Sequence, residues 1–237
     1  FMDMPKLRQY NLMHRWAYVS PRWISQLMLR GLHDERNGGQ SRKHAAADSS
    51  EPLYTTSVKT NRYEAQWKNG FTLNADHNTS VALMLHGSWH DADNMFGRTE
   101  YDVTQKNGYA QLMFETDITE HHNLSVGASL NHDYYDERFN PLGTLARAES
   151  TVSKETTPGV YAQYTYKYGD KLTIMPGVRW DYSTEHGEFW TPRLHIKYSP
   201  WEYLTLRASA GKGFRSPHAL AENVSLLASG KTFIAYD

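Results

Sequence analysis

The 237-residue chain has no cysteine. Disulfide frameworks and thiolate metal sites are therefore removed, although compartment is left open. No run approaches the roughly 18 apolar residues of a spanning helix, which excludes an α-helical membrane protein. Neither charge is in excess: Lys and Arg number 25, Asp and Glu 26, for a net −1. The basic residues are scattered, so there is no electrostatic footprint for nucleic acid. The first ten residues, FMDMPKLRQY, lack the basic-then-apolar layout of a signal peptide. Such a start fits a cytoplasmic protein or a chain whose true start lies upstream, and the strand pattern below favours the second. No nucleotide loop, nucleophile elbow or zinc-helix motif is present. What the chain does hold in quantity is aromatic: 16 Tyr, 7 Trp and 8 Phe, beside an apolar content of only 39%.

Those aromatic residues sit in a pattern of period two. Val160, Ala162, Tyr164, Tyr166 and Tyr168 share one face, and Gln163, Thr165 and Lys167 take the other. After Gly169-Asp170, Leu172, Ile174, Val178, Trp180 and Tyr182 oppose Lys171, Thr173, Arg179 and Asp181. Successive side chains leave a strand on opposite sides, so alternation over this length predicts strands, and the Gly-Asp pair a hairpin turn. Similar alternation recurs around Tyr10–Tyr18, Tyr63–Phe71, Val81–Trp89, Leu124–Leu130, Leu194–Tyr198 and Leu204–Ala210. About ten strands and no amphipathic helix are expected: an all-β chain. Pro176 lies within one of these strands, where a missing N–H is tolerated at an edge or bulge.

The connections sort into two sets. Residues 20–22, 119–122, 169–170 and 199–203 are short, and 74–80 in the same set is somewhat longer. Alternating with them are mostly longer segments, 37–52, 139–157 and everything after Ser216, with 95–100 and 184–189 the shorter members. Short turns at one end and longer loops at the other describe an outer-membrane barrel. A soluble sandwich also alternates. It has no reason to sort its loops this way or to gather Tyr and Trp near strand ends, where aromatic girdles stand in a barrel. The expected architecture is an antiparallel up-and-down transmembrane β-barrel wall, about ten strands of a larger barrel.

One strand ends at a corner, RASAGKGFRSPHALAE, residues 207–222. Two glycines, Gly211 and Gly213, remove side chains where a wall bends or passes close to something. The plain alternative is a strand that merely ends. This stretch resembles the barrel segment of TonB-dependent outer-membrane receptors, in which a strand reads R-x-S-x-G-x-G-F-R-[AS]-P and is followed by a Glu. The matching residues are Arg207, Ser209, Gly211, Gly213, Phe214, Arg215, Ser216, Pro217 and Glu222. The segments PGVYAQYTYKYGDKLTIMPGVRWDYS, TPRLHIKYSP and RWISQLMLRGLHDERNGGQ are also similar to that family's strands.

The resemblance implies that residues 1–237 are part of a single outer-membrane β-barrel domain. The family's plug domain and C-terminal strands have no counterpart in the sequence. It also implies active uptake of a scarce, bulky nutrient, a ferric siderophore first, with a haem or cobalamin receptor as the alternative. The expected partners are the small ligand, outer-membrane lipid and, through the plug segment, the inner-membrane TonB complex. No catalytic residue, metal site or cofactor is assigned. Arg62, Arg193 and His218 are the candidate ligand contacts, His218 because FRSPH resembles a box found in some haem receptors. Glu222 is the candidate partner of Arg215. From another class, a ten-stranded outer-membrane protease would place Asp and His at its rim, for which HDADN (90–94) and NHDYYDE (131–137) are available. A passive porin would share the wall. His86 and His90 lie roughly 13 Å apart along a strand, too far to bind one ion.

Overall fold

The computed structural model describes residues 2–40, 53–140 and 149–228. Its strands are β1 (Met2–Val19), β2 (Trp23–Gln40), β3 (Thr55–Asn74), β4 (Thr79–Phe96), β5 (Thr99–Thr119) and β6 (His122–Asn140). They continue with β7 (Glu149–Tyr168), β8 (Leu172–Ser183), β9 (Gly187–Trp190), β10 (Arg193–Trp201) and β11 (Leu204–Gly211). Ten lie side by side, antiparallel and in chain order, while the four-residue β9 folds back onto β8 beside this path. The all-β, up-and-down architecture read from the alternation is the one found.

The faces follow parity. Trp23, Phe71, Val81, Phe114, Val126, Ala162 and Val178 form one unbroken row of cross-strand partners on the outer face. Aromatic residues border this apolar band. Near the short turns Tyr18 meets Trp23 at a tilt, and Trp23 stacks on Phe71, with centroids 4.9 and 5.7 Å apart. Toward the other end Tyr63 stacks on Trp89 at 5.6 Å. The band ends at Tyr63 and Trp89 on β3 and β4 but at Leu130 on β6, two same-face rows lower in the ladder. Tilted, sheared strands produce that offset.

β3, β5 and β7 run to 20, 21 and 20 residues, about twice the 9–11 that cross a bilayer. Strands β2–β7 therefore continue beyond the band on the loop side. There the inner face carries the buried apolar cluster: Ala92, Phe96, Tyr101, Val103 and Phe139, joined by Leu227. This extension corrects the loop reading. Residues 95–100 hold only a two-residue turn, with Gly97 at φ +67. β2 runs to Gln40 and β7 begins at Glu149, so those loops are shorter than the sequence indicates, and residues 41–52 and 141–148 lie outside the described set. Part of the segment 184–189 is strand β9. Above the membrane no lipid selects apolar residues for one face, so the alternation fades there and strand reads as loop. Pro176 pairs with Leu194 in β10, while the β7–β8 ladder is interrupted between Gln163/Gly177 and Tyr166/Ile174. The missing N–H falls at that gap.

Candidate functional site

At Gly211 the chain leaves the wall. Lys212 N donates to Pro192 O at 3.0 Å, and residues 212–228 then cross the inner face as a strap. A Cβ at Gly211 would stand 3.3 Å from both Arg193 Cβ and Pro192 O, so a side chain there would press on β10. Gly213 has open space around it.

Each part of the strap meets a different strand. Phe214 stacks on Phe189 of β9, with centroids 3.9 Å apart and planes 1° apart. Ser216 Oγ donates to Glu155 Oε1 at 3.0 Å, and Ser183 Oγ donates to the same oxygen at 2.5 Å. The His218 ring lies 3.7 Å from that of Tyr135. Arg215 Nη2 is 2.5 Å from Glu222 Oε1, an ion pair whose arginine is 73% exposed. Solvent screening leaves such a pair worth about 0–1 kcal/mol. Glu222 also accepts from His218 N at 3.1 Å, closing the single helical turn α1 (Ala219–Glu222). Leu227, 4% exposed, enters the apolar cluster, and Tyr54 Oη donates to Ala228 O at 2.7 Å.

Two clefts lie between strap and wall. One, of about 310 Å³, has Asp133, Glu155, Arg179 and Asp181 in its lining. Its carboxylates already have donors. Asp133 accepts from Asn107 and Asn131, and Asp181 is held at both oxygens by Arg179, at 2.7 and 2.5 Å. Arg179 Nη2 also donates to Ser129. The other, of about 400 Å³, is bordered by His90, Gln105, Tyr135, Arg215, His218 and Glu222. His90 Nδ1 is buried without a hydrogen-bond partner. Burial, reinforced by Asp133, Glu137 and Glu222, pushes the Tyr135 phenol up to about 12.

The residues singled out from sequence are thus partly brought together. Phe214, Arg215, Ser216, Pro217, His218 and Glu222 share the strap. Arg62 pairs across the ladder with His90, beside the second cleft, and its Nη2 is 2.7 Å from Glu64. Arg193 lies on β10, donating to Gln163 at 2.7 Å. Arg207 stands opposite Lys197 on β11, below the strap's exit. Sequence reasoning missed Glu155, Tyr135, Phe189, Ser183 and Leu227. Glu155 fell in a segment that reads as loop and Tyr135 only in a rim motif, and nothing local says where a segment sixty residues away will land. Parity divides the rim motif at 90–94: His90, Ala92 and Asn94 face inward, and Asp91 and Asp93 face outward. Among the described residues no group of three or more His, Asp or Glu is arranged to hold a metal ion.

Residues 8–232 match the family model described as TonB dependent receptor-like, beta-barrel. The chain belongs to this family. Among curated proteins, the ferric enterobactin receptor PirA of Pseudomonas aeruginosa is 24% identical over 182 residues, 73% of this chain. The chain spans only 24% of that relative's length. Among solved structures, the siderophore receptor PirA from Acinetobacter baumannii superposes with a TM-score of 0.60 at 15% identity, over 90% of this chain and 34% of that one. The Pseudomonas aeruginosa PirA structure gives 0.54 at 14%, over 90% and 40%. These likenesses show the same fold.

Proposed function

We propose that this chain is part of the wall of an outer-membrane receptor that takes up a ferric siderophore, driven through a TonB complex. All 237 residues belong to one barrel domain in this reading. The described strands leave β1 and β11 unpaired on their outer sides. In hydrocarbon every unpaired backbone group costs several kcal/mol, so both edges must find strand partners in the closed barrel. The observation that carries the reading is the strap. A passive pore keeps its lumen open, whereas here a segment lies across the inner wall and encloses polar clefts beneath it. The relatives named as ferric enterobactin receptors favour a ferric siderophore over haem or cobalamin. In this role the strap residues Phe214, Arg215, Ser216 and Glu222 are architectural. Arg62, Arg193 and His218 are ligand contacts of the vestibule, and the hydrogen-bonded carboxylates beneath the strap are structural rather than catalytic.

Uptake of ⁵⁵Fe-labelled siderophore by cells carrying only the intact receptor tests this. Uptake should occur and should stop when the proton gradient is collapsed. Uptake that survives collapse of the gradient would make the protein a passive pore, and peptide cleavage by the purified receptor would make it a protease.

A further inference from the structure

Lys106, Tyr134 and Lys154 are successive cross-strand partners on the outer face of β5, β6 and β7. Lys106 Nζ lies 5.4 Å and Lys154 Nζ 5.7 Å from the Tyr134 ring centroid. One ring thus gathers two exposed ammonium groups that would otherwise repel each other. Every ion pair found among the described residues uses an arginine, so neither lysine has an ion-pair partner among them. The neighbouring outward carboxylates, Asp91 and Asp136, stand one same-face position farther from the membrane, and Asp91 already accepts the Thr104 hydroxyl at 2.7 Å. On the membrane side the next row is Gly108, His132 and Thr156. A Cβ at Gly108 would meet nothing within 4 Å, which leaves a notch beneath Lys106. His132 Nδ1 and Thr156 Oγ1, 2.8 Å apart, edge that notch with polar groups.

The height of this cluster decides what it meets. Leu130 is the last apolar outward residue of β6, four residues before Tyr134. At about 3.3 Å per residue and about 40° of tilt, the ring stands about 10 Å above the band. Headgroups fill about the first 5–8 Å beyond the hydrocarbon, and lysine stems reach down toward them. β5–β7 are also central in the sheet, so this face stays outward however the edges close.

We infer that Lys106 and Lys154, gathered by Tyr134, clamp the phosphate of an anionic lipid headgroup in the outer leaflet; this rests on the membrane-barrel reading above. The test uses the intact receptor in phosphatidylcholine vesicles with and without phosphatidic acid, scoring labelled lipid that co-purifies. Wild type should retain phosphatidic acid over phosphatidylcholine. At about 1 kcal/mol per lysine, K106Q/K154Q should weaken retention about 10–30-fold, and K106R/K154R should preserve it. If the double variant does not fold, Lys154→Gln alone should show about a 5-fold loss. Equal retention by wild type and the glutamine variants overturns the clamp. Displacement of the lipid by the same concentration of inorganic phosphate overturns the lipid assignment. Ferric-siderophore binding is measured on the same samples. Its absence in wild type would remove the uptake reading while leaving the lipid result standing.

Discussion

Asp181 is 2% exposed, and Arg179 meets both of its carboxylate oxygens on the inner wall. One position away, Val178 faces lipid. Val178→Arg brings a charge to the hydrocarbon at a cost of about 2–4 kcal/mol near the midplane. Arg179→Ala looks milder on parity alone, because it shortens a lumen side chain. The pairing reverses that expectation: removing the arginine strands a buried carboxylate, at about 3–5 kcal/mol. Unfolding in liposomes should therefore show Arg179→Ala at least as damaging as Val178→Arg, with R179A/D181A recovering most of the loss. A double variant no better than the single one would mean that the pair is not what holds Asp181. Tyr135 supplies a pH signature. Its folded pKa, about 12, lies above the unfolded value of about 10. The neutral phenol therefore contributes stability that is present below pH 10 and lost as pH rises through 12. Alkaline difference spectra against Tyr135→Phe should place this phenolate near pH 12, and a midpoint near 10 would mean that the strap does not cover it. Period-two parity assigned Arg179 and Asp181 to the lumen correctly. It could not show that they pair, because that depends on the space left by Gly159, where a Cβ would overlap Asp181.

The strap illustrates the same limit over seventeen residues. GKGFRSP was legible as a corner, since glycines and a proline end an alternating run. Its destination was not, because the docking partners come from β4, β5, β6, β7 and β9 and obey no local period. Most of the holding force is at the far end. Leu227 fills a pocket of Phe96, Tyr101, Val103 and Phe139, whereas Arg215–Glu222 is largely exposed. Leu227→Ala should weaken docking by about 2–5 kcal/mol, and Arg215→Ala by about 1 kcal/mol or less. Hydrogen exchange on the intact receptor distinguishes them: Leu227→Ala should speed exchange across residues 212–228 and leave β6 and β7 protected. Faster exchange throughout those strands would mean instead that the cluster holds up the hairpin extensions.

Seen across the sheet, most of the wall was written in alternation, and the ten-strand path emerged from it because lipid imposes a strict choice of face. Where that choice lapses, above Tyr63, Trp89 and Leu130, strands carry polar residues on both sides and pass for loops. β9 escaped notice for a related reason: four residues are too few to show a period. The band itself makes the final prediction. Ile174 and Val178 face outward from β8, while Thr173 faces the lumen in a row with Lys167, Lys197 and Arg207. These three cations share one inner row without an ion-pair partner among the described residues, which requires water or an acidic surface opposite them. Cysteine at Ile174 or Val178 should resist a water-soluble maleimide in intact membranes, and cysteine at Thr173 should react wherever water fills the lumen. A negatively charged thiol reagent should label Thr173→Cys faster than a neutral one of the same size, because the three cations concentrate anions there. High salt should erase that difference. Labelling of the outward and inward positions at equal rates would mean that the wall does not separate lipid from lumen in this register.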